Sequence, residues 1–503
     1  ALRSATKTAC RSSNPNPGYT KFCTPSLPQI FGMILIPFSG TSEPRYAEIA
    51  RLMAEGGDWI TPWFEPGVPF WGKPPFSFWV QALSIRLFGL NEWAVRLPSW
   101  LGFLAILAAI HALARQYSGL RTARWAVVVY ASCALPYIAG VAVLTDPFLT
   151  LGTTLCMAGL VLGQWYWRAL GFAGLAIGLL SKGPLAGVLV AGSVATGWLI
   201  CRQIQWPRMS GRVWIWGVAV VIALVLPWYV LAEQKTPGFL NYFLLGEHVL
   251  RYLDPGWQGD LYGTAHVEPY GSIWGFWLMA TFPWGILALA ALLYAAGHSG
   301  ARQSLRRVLS EPVTAYLLGW SVFSLLLFTF ARNLLWTYAL PAIPAFSILM
   351  GRALSAWQAA PRKPDSGPPR YVTATLASLV PTVMLVASLT AVLQPNLINT
   401  ERELVRYVQD ASGANANFWY IDSRPFSARY YSRGMAELVS IEQVSARLRH
   451  MNGDVYMAVT KRQFDQIQHR LPSSSQRANI ESKKYVLVII PGGSGKMRSR
   501  EKS

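Results

Sequence analysis

The residues best suited to chemistry in this chain are carboxylates close to cations, set in short polar stretches between long apolar runs. The first stretch, residues 42–75, reads SEPRYAEIARLMAEGGDWITPWFEPGVPFWGKPP. Glu43, Arg45, Tyr46 and Glu48 crowd together there, and Lys73 precedes the rigid pair Pro74-Pro75, with Trp59, Trp63, Phe64, Phe70 and Trp71 between. Further on come Thr145-Asp146-Pro147, Ser181-Lys182-Gly183-Pro184, Glu247-His248 with Arg251 one helical turn later, and the stretch from Arg332 to Tyr338. Acids beside Lys and Arg at a membrane face suit a substrate with a phosphate headgroup and a long apolar tail. The cations hold the phosphate while an acid orients or deprotonates the incoming nucleophile. Each cluster also has a plainer role: Lys73 could snorkel, Asp146 could cap a helix with Pro147 at its first position, and Glu247 with Arg251 could be a surface ion pair. What favours a site is that the clusters fall on one side of the apolar runs that separate them.

Those runs dominate the chain. It has 503 residues, 52% hydrophobic and only 14% charged, with 22 Trp, a composition that marks a polytopic membrane protein, mainly α. The net charge of +20 does not indicate nucleic acid, because the cations are spread over short loops rather than gathered in a basic stripe. Cys133, Cys156 and Cys201 lie in apolar runs and Cys10 and Cys23 in the polar start, with neither disulfide nor zinc spacing. Spans are expected over residues 27–38, 97–114, 125–143, 148–167, 169–180, 185–200, 213–231, 273–296, 313–330, 335–350 and 372–393, eleven in all, with 76–90 an interfacial helix. Counted so, the Arg-bearing loops at Arg115 to Arg124, Arg168, Arg202 to Arg212, Arg302 to Arg307 and Arg352 to Arg370 all face the cytoplasm, and the polar clusters face outward. The domains read as a disordered cytoplasmic lead (1–27), a transmembrane catalytic domain (28–394) with outer loops 41–96 and 232–271, a small soluble α/β domain outside the membrane (395–490), and a disordered tail (491–503). The GGSGK in that tail lacks the spacing of a phosphate-binding loop.

At EPRYAEIARLMAEGGDWITP, GKPPFSFW, AVLTDPF, SKGP, PGFLNYFLLGEHVLRYL and TYALPAIPA the chain resembles the membrane glycosyltransferases of the protein O-mannosyltransferase superfamily, C-type in fold, and most closely the bacterial 4-amino-4-deoxy-L-arabinose lipid A transferases. The resemblance implies a monomeric, inverting transferase in the bacterial inner membrane. It would take a sugar from undecaprenyl phosphate and place it on lipid A, or a related envelope acceptor, at the periplasmic face. Lys73, Arg251 and Tyr338 would contact the donor phosphate, with Glu247 beside them; Arg45 and Tyr46 would shape the site; Asp146 would be its second acid. Three positions depart from the family pattern. Its Asp-Glu pair is Ser42-Glu43 here, so Glu43 takes the place of the base; an acceptor that is already an anionic phosphate would need no strong one. Its Glu-Lys-Pro is Gly72-Lys73-Pro74, which removes one expected partner from a divalent metal site at His248. Its Lys-Leu-Pro-Thr-Tyr is Leu334-Leu335-Trp336-Thr337-Tyr338, so a cation there must come from Arg332. Two other readings fit the composition: a transferase of the same fold acting on a protein or glycan hydroxyl, which needs a real base, and a polyprenyl-lipid carrier, which should show repeated halves or charges within spans, neither of which is evident.

Overall fold

The computed structural model describes residues 26–204, 209–254, 256–263, 266–359, 370–412, 416–451, 453–468 and 471–492. The expected lead, up to residue 25, and the expected tail, from residue 493, lie outside them.

Helices build the first four-fifths of the chain. After α1 (Ser26–Leu35), the stretch expected to be an outer loop opens instead with a helix, α2 (Ser42–Gly56). Its run of Ala, Ile, Leu and Met propagates a helix well, and Gly57, at φ 71°, stops it in the left-handed conformation while its N–H bonds the Met53 carbonyl. The β-hairpin β1 (Trp63–Glu65) and β2 (Val68–Pro69) follows, then α3 (Phe76–Phe88), which starts at the Pro74-Pro75 pair. Tyr46, Ile49 and Met53 of α2 pack on Phe78, Ala82 and Ile85 of α3, so the polar stretch is a folded layer on the bundle rather than a free loop.

The bundle follows with α4 (Glu92–Ser132), α5 (Ala134–Ala139), α6 (Asp146–Val161), α7 (Trp165–Lys182), α8 (Leu185–Ile200) and α9 (Gly211–Lys235). A π-helix (Asn241–Leu250) runs into the turn α10 (Arg251–Leu253). Then come α11 (Ser272–Ala280), α12 (Trp284–Gly297), α13 (Ser299–Leu309), α14 (Pro312–Thr329), a 3-10 helix (Trp336–Ala342), α15 (Ile343–Ala359) and α16 (Arg370–Leu393). Among the described residues, five stretches are long and apolar enough to cross a membrane: Glu92–Ser132, Gly211–Lys235, Pro312–Thr329, Trp336–Ala359 and Tyr371–Leu393; α11 with α12, bent by 115°, makes a sixth if taken as one. That is fewer than the eleven expected. Two expected spans merge in α4, interrupted only at Gly119 (φ 82°), and others, such as α6 and α8, are helices too short to pass alone.

Residues 402–490 form a mixed sheet of order β4-β3-β5-β7-β6, built from β3 (Asn417–Ile421), β4 (Glu437–Val439), β5 (Val455–Thr460), β6 (Gln476–Glu481) and β7 (Tyr485–Ile490). Helices α17 (Arg402–Ser412), α18 (Phe426–Tyr431), α19 (Ile441–Arg449) and α20 (Lys461–Ile467) accompany it. Alternation along β3 sends Phe418 and Tyr420 to one core, and Trp419 and Ile421 to the other. This unit contacts the helical part through α18: the Phe38 N–H donates to the Tyr431 hydroxyl (2.8 Å), Arg429 pairs with Glu65, and Phe426 meets Phe64 edge to face at 5.5 Å.

Candidate active site

Three segments that share no sequence neighbourhood bring the charged residues together. The first joining is made by glycines. On α6, a side chain at Gly152 would meet the backbone of Gly174 and Gly178 at 2.5 and 2.7 Å, and one at Gly159 would meet the Trp167 carbonyl and Gly171 at 2.6 and 2.7 Å. Small residues recurring on both faces let α6 and α7 run antiparallel at backbone contact. The start of α6 therefore lies beside the end of α7, and Asp146 Oδ1 receives Lys182 Nζ at 3.0 Å, both side chains 9% exposed. Asp146 is not the N-cap the sequence allowed; Thr145 holds that position, and Asp146 is the first helical residue.

The second joining runs through Gly183, at φ 65° just past Lys182. A Cβ there would strike the Phe243 ring at 2.6 Å and approach His248 at 3.2 Å, so only glycine lets the π-helix settle onto this turn. His248 accordingly places Nδ1 2.7 Å from the Phe243 carbonyl and Nε2 3.0 Å from that of Lys182. The residue expected as a metal ligand therefore has both ring nitrogens facing main-chain oxygens. Among the described residues, no group of three or more His, Cys, Asp or Glu side chains gathers where it could hold a metal ion. Burial, with Lys73 nearby, holds the imidazole below its ordinary pKa.

The π-helix thereby presents Glu247 to the third segment. Lys73 Nζ lies 2.9 Å from Glu247 Oε2, and Arg251 Nη1 lies 3.1 Å from each oxygen of the same carboxylate. Glu247 is 5% exposed, and burial alone would raise its pKa; Lys73 and Arg251 together outweigh that and hold it at about 2. Arg251 also reaches Asp260 at 3.6 Å and Asn333 at 3.5 Å, yet its buried Nε–H has no protein acceptor. Thus Lys73, expected in the site with snorkelling as its plainer role, is anchored in an ion-pair network.

Tyr338 sits between the two groups. Its ring lies 5.2 Å from Lys182 Nζ, and its hydroxyl couples electrostatically to Arg251. Tyr46 faces the same region: burial would raise its phenol, but Arg45, Lys73 and Lys182 pull it below its ordinary value. Arg45 donates to the Tyr262 carbonyl at 2.6 Å and, like Arg251, keeps a buried Nε–H without a protein partner. Lys73, Asp146, Lys182, Glu247, Arg251, Tyr338, Arg45 and Tyr46 therefore form one neighbourhood, as the sequence expected of all but Lys182. Lys182 was visible in the SKGP motif, and its tie to Asp146 could have been read from the glycine spacing of α6 and α7.

Two expected members stand apart. Glu43 is clamped by Arg96, whose Nε and Nη2 donate to its two oxygens at 2.8 and 2.9 Å, and one of those oxygens also faces the Val143 N–H at 3.3 Å. Its oxygens hold a buried guanidinium, so the residue expected as catalytic base is engaged by Arg96 rather than by the cations around Glu247. Arg332 turns to the Glu268 carbonyl at 3.2 Å and to the Tyr270 ring at 5.5 Å, and supplies no cation beside Tyr338.

With this geometry in view, the comparisons with known proteins agree. Residues 39–243 match the family model "Dolichyl-phosphate-mannose-protein mannosyltransferase". An undecaprenyl phosphate-alpha-4-amino-4-deoxy-L-arabinose arabinosyl transferase from Edwardsiella ictaluri is 32% identical over 61% of this chain and 54% of its own length; the Enterobacter protein of the same name is 30% identical over 64% and 56%. The chain thus spans about half the length of the curated relatives it matches. Among solved structures, ArnT from Cupriavidus metallidurans bound to undecaprenyl phosphate superposes with a TM-score of 0.72 at 17% identity, over 92% of this chain and 96% of that one. Its apo form gives 0.69. These matches bear out the resemblance to the protein O-mannosyltransferase superfamily and its aminoarabinose-transferase branch, and the solved structures show that the fold is shared with the Cupriavidus protein.

Proposed function

We propose that this chain is a membrane glycosyltransferase that moves an aminoarabinose-like sugar from undecaprenyl phosphate to a lipid A phosphate or related envelope acceptor, on the periplasmic face of the bacterial inner membrane. The observation that carries the reading is the convergence of Lys73 and Arg251 on one carboxylate, with Arg45 and Lys182 alongside. Two cations share Glu247, and the unpartnered Nε–H groups of Arg45 and Arg251 remain for an anion to accept. A donor phosphate entering there would take hydrogen bonds from Lys73 and Arg251, with Tyr338 against it, while Glu247 keeps both cations aimed. As the sugar leaves, negative charge grows on that phosphate, and fixed cations stabilise the transition state more than the ground state. Asp146, pinned by Lys182, is the acid left to orient the acceptor, since Glu43 is held by Arg96. An acceptor that arrives as a phosphate anion needs no strong base, which fits Ser42 where the family carries Asp. The curated relatives' names and the lipid bound to the Cupriavidus protein support the donor. The Arg-rich stretches read from the sequence support an outward-facing site, with the five-stranded unit outside the membrane on the same side.

The test is transfer by the purified full chain in lipid nanodiscs, with undecaprenyl phosphate-aminoarabinose and lipid A, followed by mass spectrometry of the acceptor. The expected result is lipid A heavier by one aminoarabinose; unmodified lipid A, with product appearing only on another acceptor, would overturn the acceptor assignment.

A further inference from the structure

Two cavities at the end of the bundle far from this site share the walls Tyr117 and Ser118. The α6 helix runs from Asp146 to Val161, so at 1.5 Å per residue Val161 lies roughly 22 Å along its axis from the ion pair. The larger cavity, about 710 Å³, is walled by Leu113, Val161, Val313, Leu317 and Ile348, with Arg202 at its edge. The smaller, about 430 Å³, is a polar cup holding Arg121, Thr122, Arg352 and Ser355. Arg352 donates to Thr314 at 2.9 Å and pairs with Glu311, whereas Arg121 and Arg202 have no ion pair among the described residues, and Arg202 lies over the Trp198 ring at 5.1 Å. Ser118 Oγ, on the wall between the cavities, is buried without a protein partner.

A cup with surplus positive charge joined to an apolar pit matches a molecule that is anionic at one end and apolar at the other. A soluble phosphate would leave the pit unfilled, and an uncharged lipid would leave Arg121 uncompensated. Basic pockets between membrane helices are where anionic headgroups dock. We propose that these cavities bind an anionic phospholipid from the leaflet opposite the ion-pair site, with its phosphate between Arg121 and Arg352 and one acyl chain directed toward Leu317. The site rests on charge and shape at this end of the bundle and stands independently of which sugar or acceptor the other end handles.

Native mass spectrometry of the detergent-purified full chain, titrated in parallel with phosphatidylglycerol, phosphatidylcholine and glycerol phosphate, tests it. Wild type should retain one phosphatidylglycerol at least tenfold more tightly than phosphatidylcholine, and glycerol phosphate should not compete at equal concentration. Arg121→Gln should remove that preference. Val313→Trp, at a partly exposed wall position that can accept bulk, should remove it too with every arginine still present. Equal retention of the two lipids by wild type, or an unchanged preference in both variants, would overturn the proposal. Displacement by glycerol phosphate would replace the lipid with a free anion and overturn it as well.

Discussion

Glu43 and Glu247 are both carboxylates gripped by arginine, and the contrast between them separates a clamp from a site with charge to spare. Glu43 meets one guanidinium head-on: two oxygens, two donors, with Arg96 only 3% exposed. Arg96 spends its remaining nitrogen on the Met33 and Ile36 carbonyls, at 3.2 and 2.5 Å, and stacks on Phe38. Charge and hydrogen bonds are balanced, and nothing is left for a ligand. Glu247 is instead shared by two cations that it cannot neutralise alone. Asp260 helps and Asp146 offsets Lys182, but Arg45 adds a positive charge with no ion pair among the described residues, so the neighbourhood is set to receive an anion. A complete fork with one partner holds the fold; an incomplete one with surplus charge binds substrate.

The largest effect should come from breaking the clamp. Glu43→Gln leaves Arg96 buried without a counter-charge, a defect that typically costs about 3–5 kcal/mol. The expected outcome is a large fall in the unfolding temperature and in yield, with the surviving folded fraction keeping its turnover. Full stability with turnover abolished would return Glu43 to the role of base.

Next is Lys73→Ala, at the other carboxylate. Losing a cation aimed at the departing phosphate should cost on the order of 3 kcal/mol, or about a hundredfold in rate, with yield and unfolding temperature near wild type because Arg251 still holds Glu247. Steady-state transfer assays beside thermal unfolding check it. Near-wild-type turnover would remove the phosphate-anchoring role and dissolve the contrast with Glu43.

The contrast also shows what could be read in advance. Lys73, Arg251, Asp146 and Tyr338 were visible because charge beside Pro and aromatic residues at the end of an apolar run is costly unless used. The fates of Glu43 and Glu48 were not. Both are acids of one helix, and only folding reveals that Arg96, 53 residues on, and Arg51, three residues on, claim them. The helix at Ser42–Gly56 was missed because its polar residues suggested a loop, although Glu48 and Arg51 neutralise each other and let that face be buried. The eleven spans assumed one apolar run per crossing, whereas the run at 273–296 bends by 115° after Ala280, and Gly119 turns the chain inside what is otherwise one helical stretch. The α/β character of the stretch after residue 394 was legible from its change in composition; the order of its strands in the sheet was not, since it depends on crossovers that carry no local signal.

A third carboxylate extends the comparison to one with no cation in direct contact. Glu401 is 1% exposed and receives only the hydroxyls of Tyr420 (3.2 Å) and Ser482 (2.9 Å), so burial pushes its pKa up to about 7. Its folded pKa is above its unfolded one, so it favours the folded state at low pH and loses that contribution as pH rises from about 4.5 through 7. The loss between pH 5 and pH 7 should be about 2 kcal/mol. Unfolding of wild type followed over that range should show the decline, and Glu401→Gln should flatten it; a wild-type profile already flat would mean that the carboxyl titrates normally.

The smallest effect, and the finest test of the incomplete fork, is Arg251→Lys. The charge remains and Glu247 stays neutralised, so stability should hardly change. What disappears is the planar guanidinium with its unpartnered Nε–H, together with the reach to Asn333 at 3.5 Å. Lysine offers a point charge on a flexible stem, and such a swap is not conservative where a phosphate is gripped by a fork. If the spare N–H is the one a donor phosphate accepts, the variant should lose roughly tenfold in kcat/KM, about 1.4 kcal/mol, with the unfolding temperature unchanged. Arg96→Lys should do the opposite, lowering the unfolding temperature while leaving the kinetics of the folded fraction intact, because there every guanidinium nitrogen already has a protein acceptor. Equal behaviour of the two variants in both measurements would mean that the guanidinium shapes of the clamp and the site serve the same purpose, and that surplus charge alone distinguishes them.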